Sequence, residues 1–155
     1  MTFLIFELSS GYFSKEKRSK VKDMKHFFYW GNPWGVQHYS CCFLTEEAQR
    51  DELIDLLREA LPKGFQLNGE TIILVDPEPY WQETIAHLKK VSSVSKREDM
   101  PRAWWQCHVC KKGFFSIYLR DTSELMTLHE FLLESMWVNA DSNSYEIGSI
   151  FVVDD

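Results

Sequence analysis

Apolar positions along the chain switch between a spacing near two and a spacing near three and a half, and the switch points divide it into elements. Thr2 to Leu8 is a short apolar run rich in Phe, Leu and Ile that predicts a buried strand, broken by Ser9-Ser10-Gly11. From Ser14 to about Tyr29 the spacing is helical, with Val21, Met24, Phe27 and Phe28 on one stripe and Ser14 as N-cap. Gly31-Asn32-Pro33-Trp34-Gly35 reads as a turn, and Val36 to Leu44 as a strand. Thr45 caps the next helix, whose inward stripe is Leu53, Leu56, Leu57, Ala60 and Leu61, and Pro62 and Gly64 end it. Phe65-Gln66-Leu67, the turn Asn68-Gly69 and Thr71 to Val75 predict a hairpin with a type I′ turn.

A third helix starts at Asp76-Pro77 and runs to about Val91, with Trp81, Ile85 and Leu88 inward. Ser92 to Arg102 is polar and reads as a mobile loop. Ala103–Cys110 and Phe114–Arg120 predict a second hairpin around Lys111-Lys112-Gly113. Asp121-Thr122-Ser123-Glu124 resembles a capping box opening the last helix, with Leu125, Leu128, Leu132 and Met136 as its stripe. Asn139 to Ser144 is a loop, and Tyr145 to Val153 a final strand.

These elements predict an α+β fold: a mixed, largely antiparallel sheet with helices packed on one face. The β-α-β-β-α-β order from Thr71 onward suits a ferredoxin-like unit within it. The chain reads as one compact domain over residues 1–155, with the 92–102 loop as the place for any subdivision.

Composition adds compartment and class. A chain of 155 residues with 45% apolar content can bury a core without disulfides or metal. No apolar run approaches a membrane span, and Met1-Thr2-Phe3-Leu4-Ile5-Phe6-Glu7 lacks the basic start of a signal peptide. Four cysteines without such a signal point to free thiols in a reducing cytoplasm. The net charge of −6 hides alternating blocks. Residues 15–25 are rich in Lys and Arg, whereas residues 121–155 hold eight acids and no base.

Few motifs carry chemistry. Cys107 and Cys110 have zinc-ligand spacing, but no second pair accompanies them, so no metal is expected unless His38 or Cys42 is borrowed. His129-Glu130 lacks the second His of a metalloprotease helix, and His87 and His129 read as satisfied core residues. The hydrolase, P-loop and dinucleotide motifs are absent, so no catalytic residue and no cofactor is assigned, and the reading leans away from an enzyme. The outline of strand, basic helix and Val36-Gln37-His38-Tyr39-Ser40 leading into a strand resembles small ferredoxin-like nucleases of CRISPR adaptation. Those carry Asp where this chain has Glu7 and are much shorter, so their activity is not transferred.

The leading expectation is a small acidic binding protein acting by protein–protein occlusion, such as an immunity protein or an inhibitor of a basic toxin or nuclease. Its contact residues would be Glu124, Glu130, Glu134 and Asp141, on or just after the last helix, with Trp30 and Trp34 as anchors. The alternative is a nucleic-acid-binding or nucleic-acid-processing protein. It would use Lys15, Lys17, Arg18, Lys20, Lys22 and Lys25 for phosphates and Tyr29 for stacking. The overall negative charge makes nucleic acid the weaker partner, and no membrane partner is expected.

Overall fold

The computed structural model of the chain describes residues 2–11, 15–24, 41–101, 115–137 and 144–154. Within these lies a seven-stranded sheet flanked by helices, an α+β fold whose pairings are antiparallel except one. The strands are β1 (Thr2–Ser9), β2 (Cys41–Leu44), β3 (Phe65–Asn68), β4 (Thr71–Leu74), β5 (Phe115–Leu119), β6 (Glu124–Thr127) and β7 (Ser144–Asp154). The long helices are α1 (Glu47–Ala60), α2 (Glu78–Ser92) and α3 (Leu128–Trp137). The sheet order is β3-β4-β7-β1-β5-β6, with β1 and β5 parallel. β1 stands between β7 and β5, so the strands after Thr71 do not form the ferredoxin-like unit on their own.

β7 organises the sheet. One edge pairs with β1; the other is shared end to end, with β4 on residues 144–146 and β2 on residues 151–154. Phe6 faces Ile150 and Leu8 faces Ile147, so Gly148 and Ser149 together oppose the single residue Glu7, a β-bulge on β7. The extra residue moves Ile147 and Ile150 onto the same face, whereas a regular period of two would separate them.

The larger core lies under α1, α2 and α3. It includes Phe6 and Leu8 of β1, Ile117 of β5, Ile147 and Ile150 of β7, and Ile54, Leu57, Tyr80, Phe131 and Leu132 of the helices. The three long helices share that face, as expected; the opposite face is buried as well, where Ile5, Tyr118, Phe151 and Val153 pack against Met24 of the short helical stretch 21–24. This explains why Phe115, Ser116, Ile117 and Tyr118 of β5 are all buried instead of alternating with solvent.

Several expected elements take other forms. The long basic helix is broken: Lys15–Lys17 is a 3₁₀ turn, residues 18–20 are irregular, and helix resumes only at residues 21–24. Asp23 Oδ2 accepts the Lys20 N–H at 2.7 Å, capping that second start. Residues 25–29 of the expected helix lie outside the described residues, as do the turn 31–35, the strand before Cys41 and the arm 103–110. Thr45 does not cap α1; its N–H donates to Ile150 O at 2.9 Å and Glu46 occupies the N-cap position. α1 keeps Leu53, Leu57, Ala60 and Leu61 of the expected stripe on the core, but its buried centre is shifted to Arg50, Ile54 and Leu57, and Leu56 is exposed. α2 likewise buries Tyr80 and Thr84 and leaves Trp81 and Leu88 exposed. The expected loop 92–102 carries a 3₁₀ turn at Arg97–Asp99.

The β3–β4 turn is displaced by one residue from the expected one. Asn68 pairs with Thr71, leaving Gly69 and Glu70 as the two-residue loop, and Gly69 takes φ 60° at its first position. Only the first loop residue has positive φ, which fits type II′ and not type I′. Gly64, with φ 97°, is also required: a Cβ there would lie 1.9 Å from Asp76 O.

The last helix begins later than Asp121 suggests. Residues 120–123 turn β5 into β6, and α3 starts after Thr127. Thr127 Oγ1 accepts the Glu130 N–H and Glu130 Oε2 accepts the Thr127 N–H, both at 3.1 Å, a reciprocal capping box. Leu125 therefore belongs to β6 and packs on the second core, away from Leu128 and Leu132.

Candidate functional site

Two groups of polar residues stand out, one internal and one on the surface. The internal group grows from the β7 bulge. Between its pairings with β4 and β2, β7 has an edge segment without a strand partner, and its carbonyls need donors. Arg50, projecting from α1, supplies them: Nη1 donates to Gly148 O at 2.5 Å and Nη2 to Ile147 O at 3.0 Å. The rest of its guanidinium forks onto Glu70, with Nε to Oε1 at 2.8 Å and Nη2 to Oε2 at 2.9 Å. The type II′ turn brings Glu70 here, and the Glu70 carbonyl also accepts the Ile147 N–H at 2.9 Å. Arg18 approaches the same carboxylate, Nη2 to Glu70 Oε2 at 3.5 Å, and lies 3.8 Å from Glu47.

On the opposite edge of the bulge stands Glu7, fully buried. Its Oε1 accepts the Ser149 N–H at 3.1 Å and the Ser19 N–H at 3.0 Å, and its Oε2 accepts the Ser19 hydroxyl. Ser149 Oγ donates back to Ser19 O at 2.6 Å. Glu7 therefore ties the 18–20 break to the bulge and does not stand open at a strand end. Glu7, Arg50 and Glu70 are engaged with one another's neighbourhood, which makes the cluster a clamp on the sheet.

The surface group is acidic. Glu124 lies on the edge strand β6, and Glu130 and Glu134 lie one turn apart on α3, all three exposed. Although Glu134 is exposed, partial desolvation of its carboxyl pushes it above its ordinary range, and the charges of Glu124 and Glu130 add to the rise. The Tyr145 phenol is pushed up by burial first, then by Asp121 and Glu134. Glu134 thus feels Glu124 and Glu130, and Tyr145 feels Asp121 and Glu134. Asp121 was not among the expected contacts, and its carboxylate accepts from Ser9 Oγ at 3.1 Å and Ser10 N–H at 2.9 Å. Glu130 has a local duty as well, since it closes the α3 capping box.

The sign of the Glu134 shift gives a prediction. A carboxyl raised in the fold opposes folding while charged, and the opposition fades as pH falls through the raised value toward the unfolded one. Glu134→Gln is expected to raise the melting temperature at pH 7 and to leave it unchanged below about pH 4. Thermal scans of both proteins at the two pH values check this.

The remaining expected residues fall elsewhere. Lys17, Lys20 and Lys22 are exposed, but Arg18 turns inward to Glu70 and the helix that would align them is broken. Lys15 opens the 3₁₀ turn, while Lys25, Tyr29, Trp30, Trp34, Asp141, His38, Cys107 and Cys110 lie outside the described residues. Among the described residues no group of three His, Cys, Asp or Glu side chains is placed to hold a metal, and no helix is long and apolar enough to cross a membrane. His129 is hydrogen-bonded through Nδ1 to the Tyr80 hydroxyl, which links α3 to α2. His87 is not a core residue; it sits at the surface 3.6 Å from Glu83.

Sequence reasoning missed Arg50 and Glu70 because both read as ordinary charges on a helix and a turn. No family model matches the chain, and neither a curated protein nor a solved structure matches it.

Proposed function

We infer that this chain is a small acidic cytoplasmic binding protein that acts by protein–protein occlusion, as an immunity protein or an inhibitor of a basic toxin or nuclease does. The observation that carries this reading is that Glu124 of β6 and Glu130 and Glu134 of α3 are all exposed and act on one another, the first two adding to the rise that desolvation begins in the Glu134 carboxyl. Clustered like charges oppose one another in the free protein, and a basic partner relieves that opposition and is steered toward it. Positions 121–155 hold eight acids and no Lys or Arg, and Arg120 is the nearest cation before them in sequence. The bend that turns Arg18 toward Glu70 supports the same ranking, since it removes one cation from the surface on which nucleic acid would depend.

The test is kinetic. Proteins captured from a cell lysate are ranked by net charge and measured by surface plasmon resonance against the wild type and a Glu124→Lys/Glu134→Lys variant. Glu130 is left intact because it caps α3. The expected result is a positively charged partner whose association slows about tenfold at low salt, with dissociation little changed. An unchanged on-rate places the interface elsewhere. Micromolar binding of a labelled single strand at physiological salt, abolished by Lys20→Glu with Lys22→Glu, would promote the nucleic-acid reading instead.

A further inference from the structure

The face of α2 beside the one that packs on the core carries a second, independent feature. Packing of Tyr80 and Thr84 against the sheet leaves Trp81 42% and Leu88 53% exposed, with Ile85 half-buried between them. At 3.6 residues per turn, these three side chains fall within about 60° of arc and form one apolar stripe. α2 has 15 residues, so the helix is about 22 Å long.

The charges beside the stripe are ordered along the helix. Glu78 lies in the first turn and Lys89 and Lys90 in the last. On the helical wheel Glu78 and Lys89 lie about 20° and 40° from Ile85, on the same flank of the stripe. A helix acidic at one end and basic at the other is complementary to itself when a second copy lies antiparallel. With a two-fold axis near Ile85, Trp81 of each copy meets Leu88 of the other and Glu78 of each meets Lys89 of the other. Trp is also the side chain that most often anchors interfaces.

We propose that this face of α2 is a homodimer interface, in which a second copy of the chain docks its own α2 antiparallel across a two-fold axis near Ile85. The contact uses none of the acidic residues of β6 and α3. One helix face buries less than the roughly 800 Å² per partner of a standard interface, so the dimer dissociates in the micromolar range.

Sedimentation equilibrium of the wild-type chain from about 1 μM to about 1 mM is expected to show a monomer–dimer equilibrium. Trp81→Glu and Leu88→Glu remove it, with circular dichroism unchanged because both positions face solvent. Lys89→Glu raises the dissociation constant about fivefold, and adding Glu78→Lys to it restores the wild-type value. The charge pair keeps the test informative should an apolar variant fail to fold. A wild-type chain that remains monomeric over the whole range overturns the proposal. So does a dimer that Trp81→Glu leaves intact, or a charge swap that fails to restore what Lys89→Glu removed.

Discussion

Arg50→Met is expected to destabilise the protein by about 3–5 kcal/mol, the cost of breaking a buried and fully hydrogen-bonded ion pair. The reason is where the guanidinium ends. It serves Gly148 O, Ile147 O and both oxygens of Glu70 while its side chain is only 7% exposed. Methionine fills much of the volume but leaves two bulge carbonyls without their donor and a carboxylate without its fork. Lysine does not repair the loss, because one ammonium cannot reproduce a planar fork reaching a carboxylate and two carbonyls. Adding Glu70→Leu to Arg50→Met should recover part of the stability by removing the stranded charge, but not the part owed to the carbonyls. Urea denaturation of the four proteins measures these differences. A loss below about 1 kcal/mol for Arg50→Met would show that water or a neighbouring side chain serves the bulge equally well.

Glu7→Leu is expected to cost about 3–5 kcal/mol, whereas Glu7→Gln should cost about 1–2 kcal/mol. Leucine strips the acceptor from the Ser149 N–H, the Ser19 N–H and the Ser19 hydroxyl at a position with no solvent exposure. Glutamine keeps one carbonyl oxygen for the two N–H donors, and the Ser19 hydroxyl can turn from donor to acceptor toward the new amide. The two variants therefore separate the hydrogen bonds from the charge. Hydrogen exchange adds a local reading, since Glu7→Leu should release the Ser149 amide and its neighbours in β7 while β3 and β4 remain protected. A leucine variant as stable as the wild type would mean that the bulge needs no acceptor from β1.

The two substitutions probe one device from its two sides. Glu7 holds the bulge from the β1 edge and Arg50 holds it from the α1 side. The bulge in turn sets Ile147 and Ile150 on the larger core and Phe151 and Val153 on the smaller one. Because Ser19 shares Glu7 with Ser149, the same carboxylate also stops the basic helix from running straight through residues 18–20. Arg18, next to that break, is thereby directed to Glu70 instead of to solvent.

Much of the secondary structure was legible because its signals are local. The apolar run at the start of β1, the Gly69 turn and the acidic start of α1 depend on residues within one or two turns of each other. The true α3 start, Thr127-Leu128-His129-Glu130, carries a local signal, but Asp121-Thr122-Ser123-Glu124 presents the same kind of spacing six residues earlier, and the reading from sequence takes that one. Local rules do not choose between them. Pairing of Leu119 with Glu124 does, by drawing residues 124–127 into the sheet. For the acidic site, the sequence carried the identities of Glu124, Glu130 and Glu134, yet the inclusion of Asp121 near Tyr145 came only from the turn between β5 and β6.

By itself, then, the sequence determined the class of the fold, the number and kind of most long elements, and the acid-only character of positions 121–155. The tertiary structure alone decided which way α1 and α2 face. Periodicity specifies that a helix has an apolar side but not where that side is centred: α1 keeps Leu53, Leu57, Ala60 and Leu61 of the expected stripe on the core and loses Leu56, whereas α2 turns by about one residue, or 100°. The choice is made by what the sheet offers: carbonyls at the bulge draw Arg50 inward and turn Leu56 out, and the Tyr80 hydroxyl meeting His129 turns Trp81 and Leu88 out. Long-range hydrogen bonds between groups far apart in sequence leave no period to read, which is why the clamp around Glu7, Arg50 and Glu70 exists only once the chain has folded.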